Sequence, residues 1–372
     1  MNKVRREDVF LLNGDLISPG VYSLNHENNI SCHDLIPSIT ISEIRKEEGP
    51  IVCRIKDDQH YVSLPLSADY IKSGDVAIVS KHGLRVVLSR SANSNTLLVT
   101  ERCNNLCLFC SQPPKDIDDE ILLAMASSAL IAFQYDGEIG ITGGEPFIYK
   151  EKFMTFLKVL DEFNVPSQLH ILTNGRYFED KELVNSLASI TTRHMTFGIP
   201  LYSISSEIHD KLVGKKGAWI QTINGLVNIQ YAGFPVEIRF IPTKENLTDL
   251  VNIVPFIAKS FPMHSQLSIM NMEAKGLARK NWSQLYVSPK DYSDKLETVA
   301  KQASMHGVNV RLFNYPLCHI PKTVYTLAVK SISDWKNNYS QECDSCLLAE
   351  KCGGFFSSAK GKFLDQPRAI HE

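Results

Sequence analysis

The sequence predicts an α/β protein: a partial barrel of six βα units, preceded by a small β-rich domain and followed by a cysteine-rich extension. Three observations carry this. From about Asn93, apolar runs of strand length alternate with longer amphipathic stretches, the pattern of repeated βα units on a parallel sheet. Before that point only short strand-like runs with turn signals occur. Towards the end, regular periodicity fades and four cysteines gather. The expected domains are 1–92, 93–290 and 291–372.

In the first region, Asn13-Gly14 after Leu11-Leu12 is a hairpin signal. Val76–Val79 and Leu84–Leu88 flank Lys81-His82-Gly83 as a second hairpin. His26, His33, His60 and His82 lack metal-ligand spacing and read as ordinary histidines. Cys32 and Cys53 read as small buried hydrophobes.

In the barrel region, strands are expected at Thr96–Thr100, Glu138–Thr142, Gln168–Thr173, Met195–Leu201, Val236–Ile241 and Leu267–Asn271. Helices fit at Asp118–Gln134, Glu151–Phe163, Lys181–Leu187, Trp219–Ala232 and Leu247–Ser260. Gly137 and Gly233 are stop signals, Asp180 is a start signal, and Asn246 with Asp249 reads as a capping box. In such sheets the chemistry lies in the loops after the carboxyl ends of the strands. The last region opens with a helical stretch near Asp291 and continues through a strand at Val308–Phe313. Its cysteine-bearing end needs a staple.

Composition excludes several functions. With 39 basic residues against 41 acidic and a net charge of −2, no electrostatic footprint exists for nucleic acid or an anionic membrane. Met1 to Phe10 lacks a signal-peptide core, and the longest apolar tract, Ile121–Phe133, is too short and too serine-broken to span a bilayer. A cytoplasmic protein is expected, with no nucleic-acid or membrane partner.

The nine cysteines set the chemistry, because an odd count without an export signal argues against a disulfide framework. Cys103, Cys107 and Cys110 share one short loop directly after a strand. Three thiolates there can hold three irons of a [4Fe–4S] cluster and leave the fourth iron open. A structural zinc would need a fourth ligand; Ser111 to Asp119 offers no Cys or His, although one from afar would serve. At the other end, Cys343-x2-Cys346-x5-Cys352 forms a hook to which Cys318 can return. Those four thiolates suit either a complete [4Fe–4S] cluster or a zinc tetrahedron, and spacing does not separate the two.

Cys103-x3-Cys107-x2-Cys110, with Phe109 before the last cysteine, resembles the signature of the radical S-adenosylmethionine (radical SAM) enzymes. The resemblance implies a radical SAM barrel whose open iron chelates the amino and carboxylate groups of SAM. One electron then cleaves the sulfonium, giving methionine and a 5′-deoxyadenosyl radical. Thr142-Gly143-Gly144-Glu145-Pro146 matches the family after the second strand. By resemblance, Gly143, Gly144 and Glu145 bind the SAM amino group, and Phe109 lies at the cofactor. Taken alone, the same residues make an ordinary turn before a helix. Thr173-Asn174-Gly175-Arg176 resembles the family's Thr-Asn-Gly, which implies that Asn174 lies near the ribose and methionine end of SAM. Ile199-Pro200-Leu201-Tyr202-Ser203 departs from the common form at the next strand end. Arg239 suits a ligand carboxylate by its forked guanidinium, and equally a structural ion pair.

The second cysteine group resembles the SPASM and twitch auxiliary-cluster modules of peptide-modifying members. Phe356 stands where a full SPASM module would have a further cysteine, so a single twitch-like cluster is expected, and His319 reads as structural. The passages Asn95–Asn104, Cys107–Pro114, Leu172–Arg176, Ser331–Lys336 and Cys352–Phe356 resemble the His-Xaa-Ser system radical SAM maturases of the HxsC type. That resemblance implies a precursor peptide as substrate, a second radical SAM maturase as partner, and an electron donor. The β-rich domain would hold the peptide by strand addition. Two other readings stay open: a radical SAM enzyme on a small molecule, and a noncatalytic iron–sulfur or zinc protein. Tyr202 and Cys318 are the side chains to test as hydrogen donor; no base is singled out.

Overall fold

Alternation of buried and outward residues builds the first sheet. In β7 (Gly83–Leu88), Leu84, Val86 and Leu88 are buried while Arg85 and Val87 turn away, the period-two signature of a half-covered strand. The computed structural model describes residues 13–14, 20–26, 38–41, 51–55, 61–64, 71–80, 83–190, 194–330 and 337–371. Cys32, His33, His60, Lys81, His82 and the Ser331–Lys336 passage lie outside them. Two units emerge: residues 1–100, 118–142 and 149–169, and residues 101–117, 143–148 and 170–372.

The first unit carries seven strands: β1 (Asn13–Gly14), β2 (Gly20–His26), β3 (Ser38–Ile41), β4 (Ile51–Ile55), β5 (Tyr61–Leu64), β6 (Asp75–Ser80) and β7, in the order β1-β5-β4-β3-β2-β6-β7. Neighbours are antiparallel except β2 and β3. The expected hairpin at Lys81–Gly83 is borne out by the β6–β7 pairing. The one at Asn13-Gly14 is not: these residues are themselves a strand, paired with Ser63 and Val62 of β5. Two residues of turn propensity are a weak signal against a long-range ladder.

The same unit holds the parallel pair β8 (Asn95–Leu98) and β9 (Glu138–Thr142), with α1 (Ile121–Phe133) between them and α2 (Lys150–Glu162) after. Helix α1 is the longest apolar tract of the sequence, and its neighbours explain why: it packs against β2 and β6 as well as α2, so it has little polar face. It ends at Gln134 as expected, but the stop is Gln134 itself rather than Gly137: Gln134 turns left-handed (φ 41°) and bonds its N–H to Leu130 O at 3.1 Å. Gly137 instead leaves space for the Tyr135 ring.

Strand β10 (Gln168–Leu172) enters the first unit at Gln168, whose N–H bonds Gly137 O, and leaves in the second, where Thr173 N–H bonds Gly198 O. The second unit continues with β11 (Met195–Pro200), β12 (Val236–Phe240), β13 (Gln266–Met270), β14 (Val310–Phe313) and β15 (Ala328–Val329), each parallel to the next. The parallel α/β architecture is therefore as predicted; β14 is the strand expected at Val308–Phe313, and β15 adds one more. Helices α3 (Lys181–Ile190), α4 (Ser206–Val213), α5 (Ala218–Tyr231), α6 (Ile253–Ser260), α7 (Gly276–Lys280), α8 (Trp282–Leu285) and α9 (Ser293–His306) complete it. Phe197, Ile199, Ile238, Phe240, Leu267 and Ile269 form the apolar face of the strands, each fully buried. Their alternates, Glu237, Arg239, Ser268 and Met270, fall on the opposite face.

Asp180 opens α3 as expected, its Oδ1 accepting the N–H groups of Glu182 and Leu183 at 3.1 and 3.2 Å. Gly233 closes α5 in the left-handed region (φ 84°). The Asn246–Asp249 capping box is corrected: neither side chain caps a helix. Asn246 Oδ1 accepts from Thr243 N–H at 2.7 Å, and its Nδ2 donates to Tyr202 O at 2.6 Å and Ile241 O at 3.0 Å. Asp249 accepts from the Ser203 hydroxyl and Ile204 N–H. Both residues lace the end of β11 to the end of β12. Among the described residues no helix is long and apolar enough to cross a membrane.

Candidate functional site

The cysteine loop is clamped from two sides within the second unit. Leu106 and Leu108 donate their N–H groups to Val213 O (3.0 Å) and Leu212 O (2.9 Å) at the end of α4. On the other side, Leu277 N–H of α7 bonds Cys110 O at 2.8 Å, and Asn281 Nδ2 bonds Leu108 O at 2.7 Å. Gly276 permits this approach, since a Cβ there would stand 2.5 Å from the carbonyls of Cys110 and Ser111. Phe109, only 6% exposed, is the hydrophobic anchor: its ring packs with Leu212, Met272, Ala278 and Leu285, and edge-on to Tyr202 at 4.7 Å. The loop's side chains are thus sorted, with the phenylalanine in the core and three partly exposed cysteines left over.

Those three thiols lie near enough to feel one another's charge, and Cys110 Sγ donates to Gln112 O at 2.9 Å. Burial pushes the Cys103 thiol up to about 11, helped by the charges of Glu145 and Cys110. Cys107 is raised further, again by burial and then by Cys110 and Cys103. Thiols that resist ionisation because they crowd together in a dry place are ones a cation among them would ionise. Asn105 N–H points at Cys103 Sγ from 3.4 Å, a donor that favours the thiolate.

The glycine turn lies against this loop. A Cβ on Gly144 would overlap the Arg102 carbonyl, so only glycine fits, and Glu145 N–H bonds that same carbonyl at 2.7 Å. The Glu145 side chain has no solvent exposure. Its Oε1 accepts from Thr173 Oγ1 (2.7 Å) and Phe147 N–H (3.0 Å), and its Oε2 from Asn174 N–H (2.7 Å). Burial raises its carboxyl above the ordinary range against the pull of these donors. Asn174 is as fully engaged: its Nδ2 donates to Asn104 Oδ1 at 2.6 Å, and its Oδ1 accepts from Arg176 N–H at 3.0 Å. Arg176, 9% exposed, sends its guanidinium back to Asn104 O, Asn105 Oδ1 and Gln221 Oε1. Sequence reasoning singled out Asn174 and Glu145 but missed Asn104 and Arg176, which bond Asn174, and Asn105, which Arg176 bonds in turn. The adjacent Asn-Asn pair inside a cysteine loop was the available signal.

Beside the loop stands Tyr202, at the end of β11, stacked on His209 at 6.1 Å. Burial raises its phenol, and the thiols of Cys107, Cys110 and Cys103 add to this while Arg239 opposes it. Arg239 bonds Met270 Sδ through Nη2 at 3.0 Å, and its Nε lies 3.8 Å from Glu237 Oε1. That Nε is buried without a hydrogen-bond acceptor. Burial pushes the Glu237 carboxyl up, but Arg239 and His170, 2.9 Å away, outweigh it and leave it at about 2. Arg239 therefore makes the structural ion pair through Nε, the nitrogen that has no hydrogen-bond acceptor.

The second cysteine group assembles in the same unit. Cys318 and Cys352 are each raised by burial, and each feels Cys343; Cys352 also feels Cys346. Backbone N–H groups aim at these sulfurs: Leu317 and Gly354 at Cys352 (3.3 Å each) and Ile370 at Cys346 (3.4 Å). His319 is committed elsewhere, with Nε2 3.1 Å from Gln366 O and its ring edge-on to Phe355. Phe356 is buried.

Among the described residues no three His, Cys, Asp or Glu side chains meet tightly enough for a single metal ion. A four-iron cluster, whose sulfur ligands sit on separate irons, asks for a looser set, and two all-sulfur groups with N–H donors aimed at them fit that demand. For a ligand at the first group, the unsatisfied Arg239 Nε and the Gly143-Gly144 turn are the features that fit.

Residues 97–257 match the model of the Radical SAM superfamily. Fe-coproporphyrin III synthase of Methanosarcina barkeri is 32% identical over 158 residues, covering 41% of this chain and 37% of that protein. The probable GTP 3′,8-cyclase of Sulfurisphaera tokodaii is 23% identical over 217 residues, covering 57% and 64%. The antilisterial bacteriocin subtilosin biosynthesis protein AlbA of Bacillus subtilis is 26% identical over 159 residues, covering 42% and 34%. The alignments span between 34% and 64% of the length of these relatives.

Proposed function

We propose that this chain, whose residues 97–257 match the Radical SAM superfamily model, reductively cleaves SAM and modifies a ribosomally made peptide or protein, as its resemblance to the His-Xaa-Ser-type maturases implies. The observation that carries the first half is the loop itself: three partly buried thiols close enough to feel one another's charge, a glycine-only turn against their backbone, and no fourth protein ligand within the loop. Cys103, Cys107 and Cys110 would hold a [4Fe–4S] cluster. Bound there with SAM, it supplies one electron to the sulfonium and yields methionine and a 5′-deoxyadenosyl radical.

The chain's own residues would do the rest. The partly exposed Gly143-Gly144 turn, held against the cysteine loop, would meet the SAM amino group, and Arg239 would turn its Nε, which lacks a hydrogen-bond acceptor beside Glu237, to the carboxylate. Glu145 and Asn174 act by fixing the two turns, because their polar atoms are already taken up within the chain. Phe109 holds the loop by its buried ring. Cys318, Cys343, Cys346 and Cys352 would carry one auxiliary [4Fe–4S] cluster.

The peptide half is supported by the twitch-like spacing Cys343-x2-Cys346-x5-Cys352 and by the kinship with a bacteriocin biosynthesis protein. Residues 1–92 would hold the precursor at an edge strand of the seven-stranded sheet. The relatives named for a porphyrin synthase and a GTP cyclase favour the other reading, a small-molecule substrate. Anaerobically reconstituted, dithionite-reduced protein should release 5′-deoxyadenosine and methionine from SAM. No release sinks the enzyme reading and leaves a noncatalytic iron–sulfur or zinc protein. A precursor peptide should then change mass and protect amides of β7 or β1 from exchange. A mass change only in a nucleotide or porphyrin supports the small-molecule reading.

A further inference from the structure

The peptide unit between Asn104 and Asn105 is gripped at one end and aimed at the other. Its carbonyl, Asn104 O, accepts from Arg176 Nη1 at 2.8 Å, and its N–H, on Asn105, points at Cys103 Sγ from 3.4 Å. A trans peptide is rigid and planar, with its C=O and N–H directed oppositely, so fixing the oxygen fixes where the hydrogen points. The same Nη1 also donates to Asn105 Oδ1 at 2.7 Å, while Nε is held by Gln221 Oε1 at 2.8 Å. Arg176 is nearly buried, yet no carboxylate among the described residues lies within ion-pair distance of it. Its donors are spent on the cysteine loop and on the helix behind it.

We propose that Arg176 is a positioning residue that aims the Asn105 N–H at the Cys103 sulfur and thereby sets the reduction potential of the group those cysteines hold. This rests on the cluster reading given above. Hydrogen bonds to a ligating sulfur stabilise the more negative, reduced state and raise the potential. A cationic donor on the carbonyl of the same peptide polarises its N–H and strengthens the effect. Lysine cannot replace this role, since it lacks the planar fork that reaches Asn104 O, Asn105 Oδ1 and Gln221 together.

The test compares wild type with Arg176→Gln and Arg176→Lys. In the reconstituted protein, the ratio of reduced to oxidised first cluster at a fixed potential should fall about tenfold in Arg176→Gln, which is ~59 mV for one electron. Arg176→Gln and wild type are poised against the same dye couple, which serves as the reference. In the metal-free chain, amide exchange at Asn105 should quicken at least about tenfold when the grip is lost. Unchanged potential together with unchanged exchange overturns the proposal. So does full rescue of both readouts by lysine, which would assign the effect to charge alone. A wild type that binds no cluster sinks the proposed function, and the Asn105 exchange comparison still decides whether Arg176 orients this peptide.

Discussion

The Glu145 carboxylate accepts the backbone N–H of Asn174 at 2.7 Å, so the residue that ends the Gly-Gly-Glu turn is tied to the residue that opens the Asn-Gly-Arg turn. Each turn separately touches the cysteine loop: Glu145 N–H bonds Arg102 O, and Asn174 Nδ2 bonds Asn104 Oδ1. The three segments form a closed ring of hydrogen bonds, and a shift in any one is felt by the cysteines.

Glu145→Gln tests that ring. The carboxylate receives only donors, from Thr173, Phe147 and Asn174, so one NH2 in place of an oxygen sets donor against donor at a side chain closed to solvent. A cost of about 3 kcal/mol is expected, seen as a fall in denaturant midpoint. SAM affinity in the reconstituted protein should drop with it. If stability falls while SAM affinity holds, the ring is structural only.

Gly144→Ala should be more selective. The added Cβ overlaps the Arg102 carbonyl, a backbone atom that cannot rotate away, and lies 3.0 Å from Cys103 Cβ. Relief requires moving the cysteine loop, at roughly 1–3 kcal/mol. Iron at the first site should decline after reconstitution while iron at the C-terminal site is retained, read by metal counting on the separated cysteine variants. Equal iron at both sites would argue against the contact.

What the sequence made legible was local. The βα alternation, the two cysteine spacings and the glycine turn are short-range patterns, and the Asp180 cap and the Gly233 stop lie within three residues of what they act on. What it hid depends on partners far along the chain. Arg176 meets Asn105 across 71 positions, and Asn246 reaches Tyr202 across 44. Asn246 and Asp249 have the residue types and spacing of a capping box, yet their side chains found stronger acceptors and donors at the strand ends. Gly137 failed as a helix stop for a different reason: Gln134 could adopt the left-handed turn itself, and the glycine served a ring.

His209 gives the second unit a pH dependence whose sign is fixed. Burial lowers its pKa to about 4, against the pull of Asp210 and with a small push from Arg176, and its Nδ1 accepts the Tyr202 N–H at 3.2 Å. In the unfolded chain it titrates near ~6.5, so between these values the unfolded state binds the extra proton. Stability is whole above about pH 6.5 and falls as pH drops towards 4, by on the order of 3 kcal/mol. Urea unfolding at pH 7.5 and 4.5 should show this loss, and His209→Gln, which keeps an acceptor but does not titrate, should flatten it. An equally steep pH slope in the variant would assign the loss to other groups.

Metal removal from the C-terminal group should loosen that segment before it affects the first site. Residues 337–371 hold only an isolated bridge between Asn338 and Phe355 and two short 3-10 turns, so little regular structure supports them. Their backbone is instead directed at sulfur: Gly354 N–H at Cys352, Ile370 N–H at Cys346, with Leu317 N–H arriving from outside the segment. Such bonds strengthen when the thiols become metal-bound thiolates, because the acceptor then carries charge. Cys346→Ser should therefore lose one metal group, expose the segment to limited proteolysis, and leave SAM cleavage at the first site intact. The metal lost identifies the site: about four irons per chain marks a cluster, and one zinc marks a tetrahedron. A variant that keeps its full metal content and its protease resistance would mean that Cys318, Cys343 and Cys352 gather for packing alone.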